Sequence, residues 1–425
     1  MGLKVISLLG TTRYTPVAYE LQEGVGLPGL GRRAWRFRST ETPFFQVALW
    51  ELRLKGEPQP WKMILFMTEK AQKANWEGER GLKTHLESLF SRERVGYRVE
   101  ERVKAVPVPD EVMEAPDLWK LYELLFAELE EGDEVLLDIT HSFRYVPVLA
   151  LSVALYGRTL KKVTIREVVY GEHRPGDPLG RYMDLTPLVH MMDWAAGVQQ
   201  LVDFGQVELL LHQLPALAAH TENEGERERL EELAQAAQRF HEDLVLCRAR
   251  RLMESARALR ESARRLSQEE SPHLPPLQLL LAYLEESVQG QFQEYPQVFW
   301  DAASWCQRHG YIQQGYTFLL EGFLEAAQIL ADLPENRSQE VRQLLSMPPD
   351  SPRWNDPRYG KLKEIVLPLY KDFREFRHYR NALNHAGQAS HHRFHLNTTS
   401  ALKEKLGKYL QRTRSLFAAA TVKGR

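Results

Sequence analysis

The chain has only two cysteines in 425 residues, Cys247 and Cys306. That excludes a disulfide framework and a cysteine-rich zinc site. Neither charge sign is in excess: 55 Lys and Arg stand against 57 Asp and Glu. Bulk positive charge therefore cannot hold nucleic acid, and only a local basic groove would serve. The richest apolar stretch, Val146 to Tyr156, is too short to span a bilayer. The opening MGLKVISLLG enters a strand pattern and lacks a signal peptide's cleavage region. Internal repeats and low-complexity tails are missing as well. These absences lead us to expect a reduced, cytoplasmic, soluble protein with no membrane partner.

What is present is a globular composition, 43% hydrophobic and 26% charged, in a chain long enough for two domains of roughly 150 residues or more. Its halves differ in kind. Up to about residue 190, strand-like runs at Val5–Leu9, Met63–Met67, Glu134–Ile139 and Val163–Tyr170 alternate with helical spacing at Leu82–Phe90, Leu118–Leu129 and Val148–Tyr156. That alternation predicts an α/β layer on a largely parallel sheet. Beyond it only helical periodicity remains. Glu224–Glu270 reads as one or two long helices, with Leu230, Leu233, Ala237, Phe240 and Leu244 on one stripe. Further helices are expected at Leu277–Val288, Ile312–Leu330, Leu362–Phe376 and Ala401–Ala419, with Pro-rich breaks at Ser271–Pro276 and Met347–Pro357. Trp119, Trp194 and Trp305 lie within apolar patterns and read as core.

Ligands of open parallel sheets bind beyond the carboxyl ends of the strands. Two segments have that position. Gly10-Thr11-Thr12-Arg13-Tyr14 follows the opening strand, and Asp138-Ile139-Thr140-His141-Ser142-Phe143-Arg144 closes the Glu134–Ile139 strand. Pro147 requires the next helix to begin near Phe143–Val146, so Thr140, His141, Ser142 and Arg144 fall on a strand-to-helix turn suited to an anion. The same residues also read as a plain turn, with Ser142 as an N-cap and Asp138 as a structural carboxylate. The glycine spacing is not GxGxxG, which speaks against a nicotinamide cofactor.

Asp138-Ile139-Thr140-His141-Ser142 resembles the DxTHG signature of a CRISPR-associated family, with Ser142 where that pattern has Gly. Leu8-Leu9-Gly10-Thr11, with Tyr14 and Tyr19, resembles the same family's start. The resemblance spans roughly residues 1 to 190. It implies a CARF domain, a Rossmann-like sensor that dimerises and binds a cyclic oligoadenylate, a ring of four adenylates being the commoner expectation. Gly10, Thr11, Thr12, Arg13, Asp138, Thr140, His141, Ser142, Phe143 and Arg144 would then be ligand residues.

A second constellation lies in the helical half. Arg380, Asn381 and His385 form R-N-x-x-x-H. Composition gives about one Arg–His pair at that spacing by chance, and the chain has two, Arg80–His85 and Arg380–His385. Only the second has Asn beside the Arg, and the first lies in the α/β half. At about 100° per residue, Arg380 falls on the stripe of Leu369, Phe373, Phe376 and Leu383, while Asn381 and His385 share the adjoining side. An arginine on an apolar stripe needs an acceptor or an interface. One reading is a polar cleft at a helix or dimer seam. The other is an Arg paired with a buried Glu, for instance Glu321, beside a capping His.

R-N-x-x-x-H resembles the catalytic motif of HEPN ribonucleases, which are small all-α domains. CARF followed by HEPN is the order found in CRISPR-associated ribonucleases of type III systems. The resemblance implies an endoribonuclease that cleaves single-stranded RNA without metal, with Arg380, Asn381 and His385 catalytic and a composite site shared by two chains. It implies residues 1–192 as sensor and 193–425 as an all-α region carrying the nuclease, in a homodimer or higher even oligomer. The rival is a sensor whose helical half only binds a partner; a metal-dependent DNase is weaker still, for want of a carboxylate cluster. His391, His392 and His395 lack a nearby carboxylate or Cys to complete a familiar ligand set, so no metal site is expected. Arg248, Arg250, Arg251, Arg257, Arg260, Arg264 and Arg265 make a basic helix, but Glu254, Glu261, Glu269 and Glu270 dilute it, and we read it as a solvated face.

Overall fold

The computed structural model describes residues 2–21, 38–109, 115–141, 145–220, 223–268, 275–385 and 398–424. The chain divides into two compact units, Met1–His190 and Met191–Arg425.

The first unit is built on a seven-stranded sheet. Its strands are β1 (Leu3–Leu9), β2 (Tyr19–Leu21), β3 (Trp61–Met67), β4 (Val103–Pro107), β5 (Glu134–Asp138), β6 (Thr164–Glu172) and β7 (Gly180–Asp184). They lie in the order β2-β7-β6-β5-β1-β3-β4. β4, β3, β1, β5 and β6 are parallel neighbours; β7 turns antiparallel to β6, and β2 runs parallel to β7. The sheet is thus mixed at one edge.

Every residue of β1 is buried, as expected for a central parallel strand covered on both faces. Side chains alternate between faces with a period of two. Leu3, Val5 and Leu9 join Met63 and Leu65 in one core with Phe45, Trp50, Leu86 and Phe90. Ile6 and Leu8 join Ile64 and Phe66 in the other, with Leu121, Leu125, Ala150 and Val153. The sequence reading missed β2, β4 and β7. All three are short, and β4 exposes three of its five residues. Short strands at or next to a sheet edge carry too little apolar alternation to be recognised.

The second unit contains no strand among its described residues. The expected stripe is buried on the Glu224–Val245 helix, which ends before a separate helix at Ala249–Ser267. Two expectations need correction. The helix anticipated over Leu362–Phe376 is broken: Pro368 sits in a 3-10 turn at Leu367–Leu369, between helices Gly360–Val366 and Tyr370–Asn384. Proline lacks the N–H an uninterrupted helix needs. Trp119, read as core, is 60% exposed. The helix Gln297–His309 was not anticipated at all. Among the described residues no helix is long and apolar enough to cross a membrane.

Candidate functional site

The first site forms where β1 and β5 end. From β1 the chain runs out to β2 at the far edge and returns to β3 beside β1, whereas β5 passes to β6 on its other side. The strand order reverses between β1 and β5, which opens a crevice at the carboxyl ends. Asp138 closes β5 and is fully buried. Ser7 Oγ donates to its Oδ2 at 2.6 Å, and the Thr140 N–H donates to its Oδ1 at 3.0 Å. Gln46 Nε2 donates in turn to Ser7 Oγ at 3.0 Å. Burial lifts the Asp138 carboxyl above its ordinary range, against the pull of the Ser7 and Thr140 bonds. Its oxygens hold the turn, so the structural-carboxylate reading describes Asp138 better than direct ligand contact.

The turn after β1 is fastened separately. The Gly10 N–H donates to Tyr14 Oη at 2.9 Å, and Asn75 Nδ2 donates to the carbonyls of Gly10 and Thr12 at 2.8 and 2.9 Å. A Cβ on residue 10 would stand 2.9 Å from the Tyr14 hydroxyl oxygen, which explains glycine there. Thr11, Thr12 and Arg13 are left exposed. The two turns meet through side chains: the Tyr14 and His141 rings stack with centroids 3.9 Å apart. Burial drives the His141 pKa down to about 4, and its Nε2 is buried without a hydrogen-bond partner among the described residues. On the far side of the loop, Thr140 Oγ1 accepts from the Gly171 N–H at 2.8 Å, tying it to β6. Ser142, Phe143 and Arg144 lie outside the described residues. Ser7, Gln46 and Asn75 belong to the site without having been anticipated, and no motif marks them.

The second site is carried by the Tyr370–Asn384 helix. His385 is its exposed C-cap, and its N–H donates to the Asn381 carbonyl at 3.0 Å. Phe373 and Phe376 are buried against Phe323 of the Ile312–Leu330 helix, with ring centroids 5.2 and 5.6 Å away. Arg380, one turn on, has Nη2 3.7 Å from Glu321 Oε1 on that same helix. Glu321 is already gripped bidentately by Arg342. Burial lowers the Arg380 pKa from its ordinary value; Glu321 offsets this, while Arg342 and Arg377 add repulsion. Its Nε is buried without a hydrogen-bond partner among the described residues. Of the two alternatives left open by spacing, these contacts match the second: Arg380 meets Glu321, and His385 caps the helix. Yet the pairing is loose, the carboxylate is shared, and the imidazole faces outward.

Arg80–His85 is structural, since His85 Nδ1 lies 3.0 Å from the Gly81 carbonyl and its ring packs on Phe44. Among the described residues no group of three or more His, Cys, Asp or Glu is placed to hold a metal ion; His391, His392 and His395 lie outside them. The basic helix is a solvated face as expected: Arg248, Arg250, Arg251, Arg257, Arg264 and Arg265 are exposed, and the first three also line a cavity.

Residues 4–174 match the family described as CRISPR system endoribonuclease Csx1, CARF domain. The first unit is a CARF domain. Its crevice lies where β1 and β5 end, on the two turns that the motifs mark. Residues 190–292 match a second family, the second domain of the CRISPR-associated protein MJ1674. The Methanocaldococcus jannaschii protein of that name is 30% identical over 99 residues, a stretch covering 22% of this chain and 16% of that relative. Enterococcus italicus Csm6, solved with cyclic hexa-2'-fluoro-hexa-dAMP, superposes over 99% of this chain and 94% of its own, with a TM-score of 0.42 and 11% identity. That likeness is too low to transfer a ligand or an activity.

Proposed function

We propose that this chain is a CRISPR-associated endoribonuclease switched on by a cyclic oligoadenylate. The ring binds at the CARF crevice, and single-stranded RNA is cut at Arg380, Asn381 and His385. The observation that carries this reading is the joint one: a CARF family match over residues 4–174 and, in the other unit, an exposed imidazole one turn beyond a half-buried, incompletely paired arginine.

The chemistry follows from the substrate. RNA brings its own nucleophile: the 2'-oxygen attacks phosphorus as the 5'-oxygen bond breaks, giving a 2',3'-cyclic phosphate and a 5'-hydroxyl. An imidazole near neutrality removes one proton or supplies the other. A guanidinium neutralises the developing phosphorane charge, and Asn381 orients the phosphate or His385. One imidazole per chain is thin for both transfers, so two chains share the site. Exposed apolar side chains support such pairing: Val148, Tyr156 and Leu160 are exposed on the Val146–Lys161 helix, and Tyr122 bridges Tyr156 to exposed Trp119.

A second reading keeps the sensor and drops catalysis, with Arg380 serving only as partner to Glu321. The discriminating test is RNA cleavage by the purified chain in EDTA, with and without each cyclic oligoadenylate. Cleavage that appears only with activator and leaves 2',3'-cyclic ends supports the enzyme. Activator binding with no cleavage of any RNA leaves the sensor.

A further inference from the structure

The helical unit holds a cavity of about 450 Å³ that the ribonuclease reading does not use. That volume suits one small ligand. Arg248, Arg250 and Arg251 line it where the Ala249–Ser267 helix begins, and Phe299, Phe318 and Glu321 line it from neighbouring helices. The helix start has no side-chain cap and no acidic residue in its first turn. Among the described residues, the N–H groups of Ala249, Arg250 and Arg251 have no acceptor. Free first-turn N–H groups attract anions, and guanidiniums beside them strengthen that preference.

The arginines differ in availability. Arg250 is held by Glu335 at 2.6 Å and lies over the Tyr295 ring. Arg248 reaches Asp243 only at 3.8 Å. Arg251 is exposed and has no side-chain partner among the described residues. The carboxylate on the wall, Glu321, is neutralised by Arg342 and is the group that Arg380 touches. The cavity and the catalytic arginine therefore share one residue.

We propose that this cavity is a nucleotide subsite of the RNA substrate, an inference that rests on the ribonuclease reading and deepens it. A base splayed out of the single strand lies on the Phe299 ring, because every base offers a π-face to an aromatic side chain. Its phosphate meets Arg251, Arg248 and the first-turn N–H groups. The neighbouring phosphate along the strand then reaches Arg380.

The test uses the full chain made inactive by His385→Ala, with fluorescent single-stranded oligoribonucleotides carrying a single abasic position, read by anisotropy over a salt series. Arg251→Ala should weaken binding about tenfold and reduce the salt slope by about one. Phe299→Ala should weaken it similarly and make one abasic position silent, the coupling expected of direct contact. Phe299→Leu keeps the apolar volume without the ring face and should show the same silence if Phe299→Ala does not fold. Unchanged dissociation constants for Arg251→Ala and Phe299→Leu, with RNA still cleaved by the wild-type chain, would overturn the subsite alone. Absence of both RNA binding and cleavage would overturn it together with the ribonuclease reading.

Discussion

At the scale of single residues, the candidate nuclease site rests on one exposed side chain and one half-buried one. His385→Ala removes the only imidazole of the motif from an exposed helix end, so the fold and activator binding should persist while cleavage falls by 10²-fold or more. Retained cleavage in a pure preparation rules the site out. His141 carries a pH signature. Its pKa is pulled down to about 4 from the ordinary imidazole value of 6.5 by burial. The unfolded chain therefore binds a proton that the folded one refuses as pH drops from 6.5 towards 4, and stability is lost across that window. The loss is of order 3 kcal/mol for this group. Buried Asp138 is shifted upward and acts in the opposite sense, gaining its proton earlier in the fold. His141→Phe keeps a ring on Tyr14 and should flatten the His141 part of the slope in thermal unfolding between pH 6.5 and 4. A wild-type slope in that variant contradicts the assignment.

At the scale of elements, Gly171 shows how tightly β6 and the helix opening at Phe45 are fitted. A Cβ there would stand 2.3 Å from the Phe45 ring, while the Gly171 N–H holds Thr140. Gly171→Ala should destabilise the CARF domain by about 1–3 kcal/mol and weaken activator binding through the Thr140 turn, seen as a lowered unfolding midpoint and a raised dissociation constant. A change in neither would mean the strand has room to shift. The central strands were legible because two-sided burial writes continuous apolar runs into β1, β3 and β5. The edge strands were not, since half-exposed backbone tolerates almost any composition. The turns after β1 and β5 could be located from Gly10 and Asp138, but their fastening by Asn75, Ser7 and Gln46 comes from residues far away in sequence. Likewise, spacing could name Glu321 as a partner for Arg380 but not the rival grip of Arg342. Helical periodicity placed Arg248–Arg251 on a polar face without showing that a cavity faces it.

At the scale of the whole molecule, a composite site makes activity a property of pairs. An isologous arrangement sets each residue opposite its own copy, so two His385 would line one cleft. Mixing wild-type chains with excess Arg380→Ala/His385→Ala chains should lower activity per wild-type chain as its share falls. Constant activity despite verified subunit exchange would show each chain to be complete. Val148→Glu with Tyr156→Glu charges the exposed apolar patch and should yield monomers in sedimentation, with loss of activator-stimulated cleavage. The patch has a further consequence for dosage. If it must find a second copy, specific activity should collapse on dilution, because association obeys mass action. A ring that bridges two chains moves that threshold downward. A cell holding few copies would then keep its own transcripts safe simply because the chains rarely meet, and an infection signal would alter how often they do.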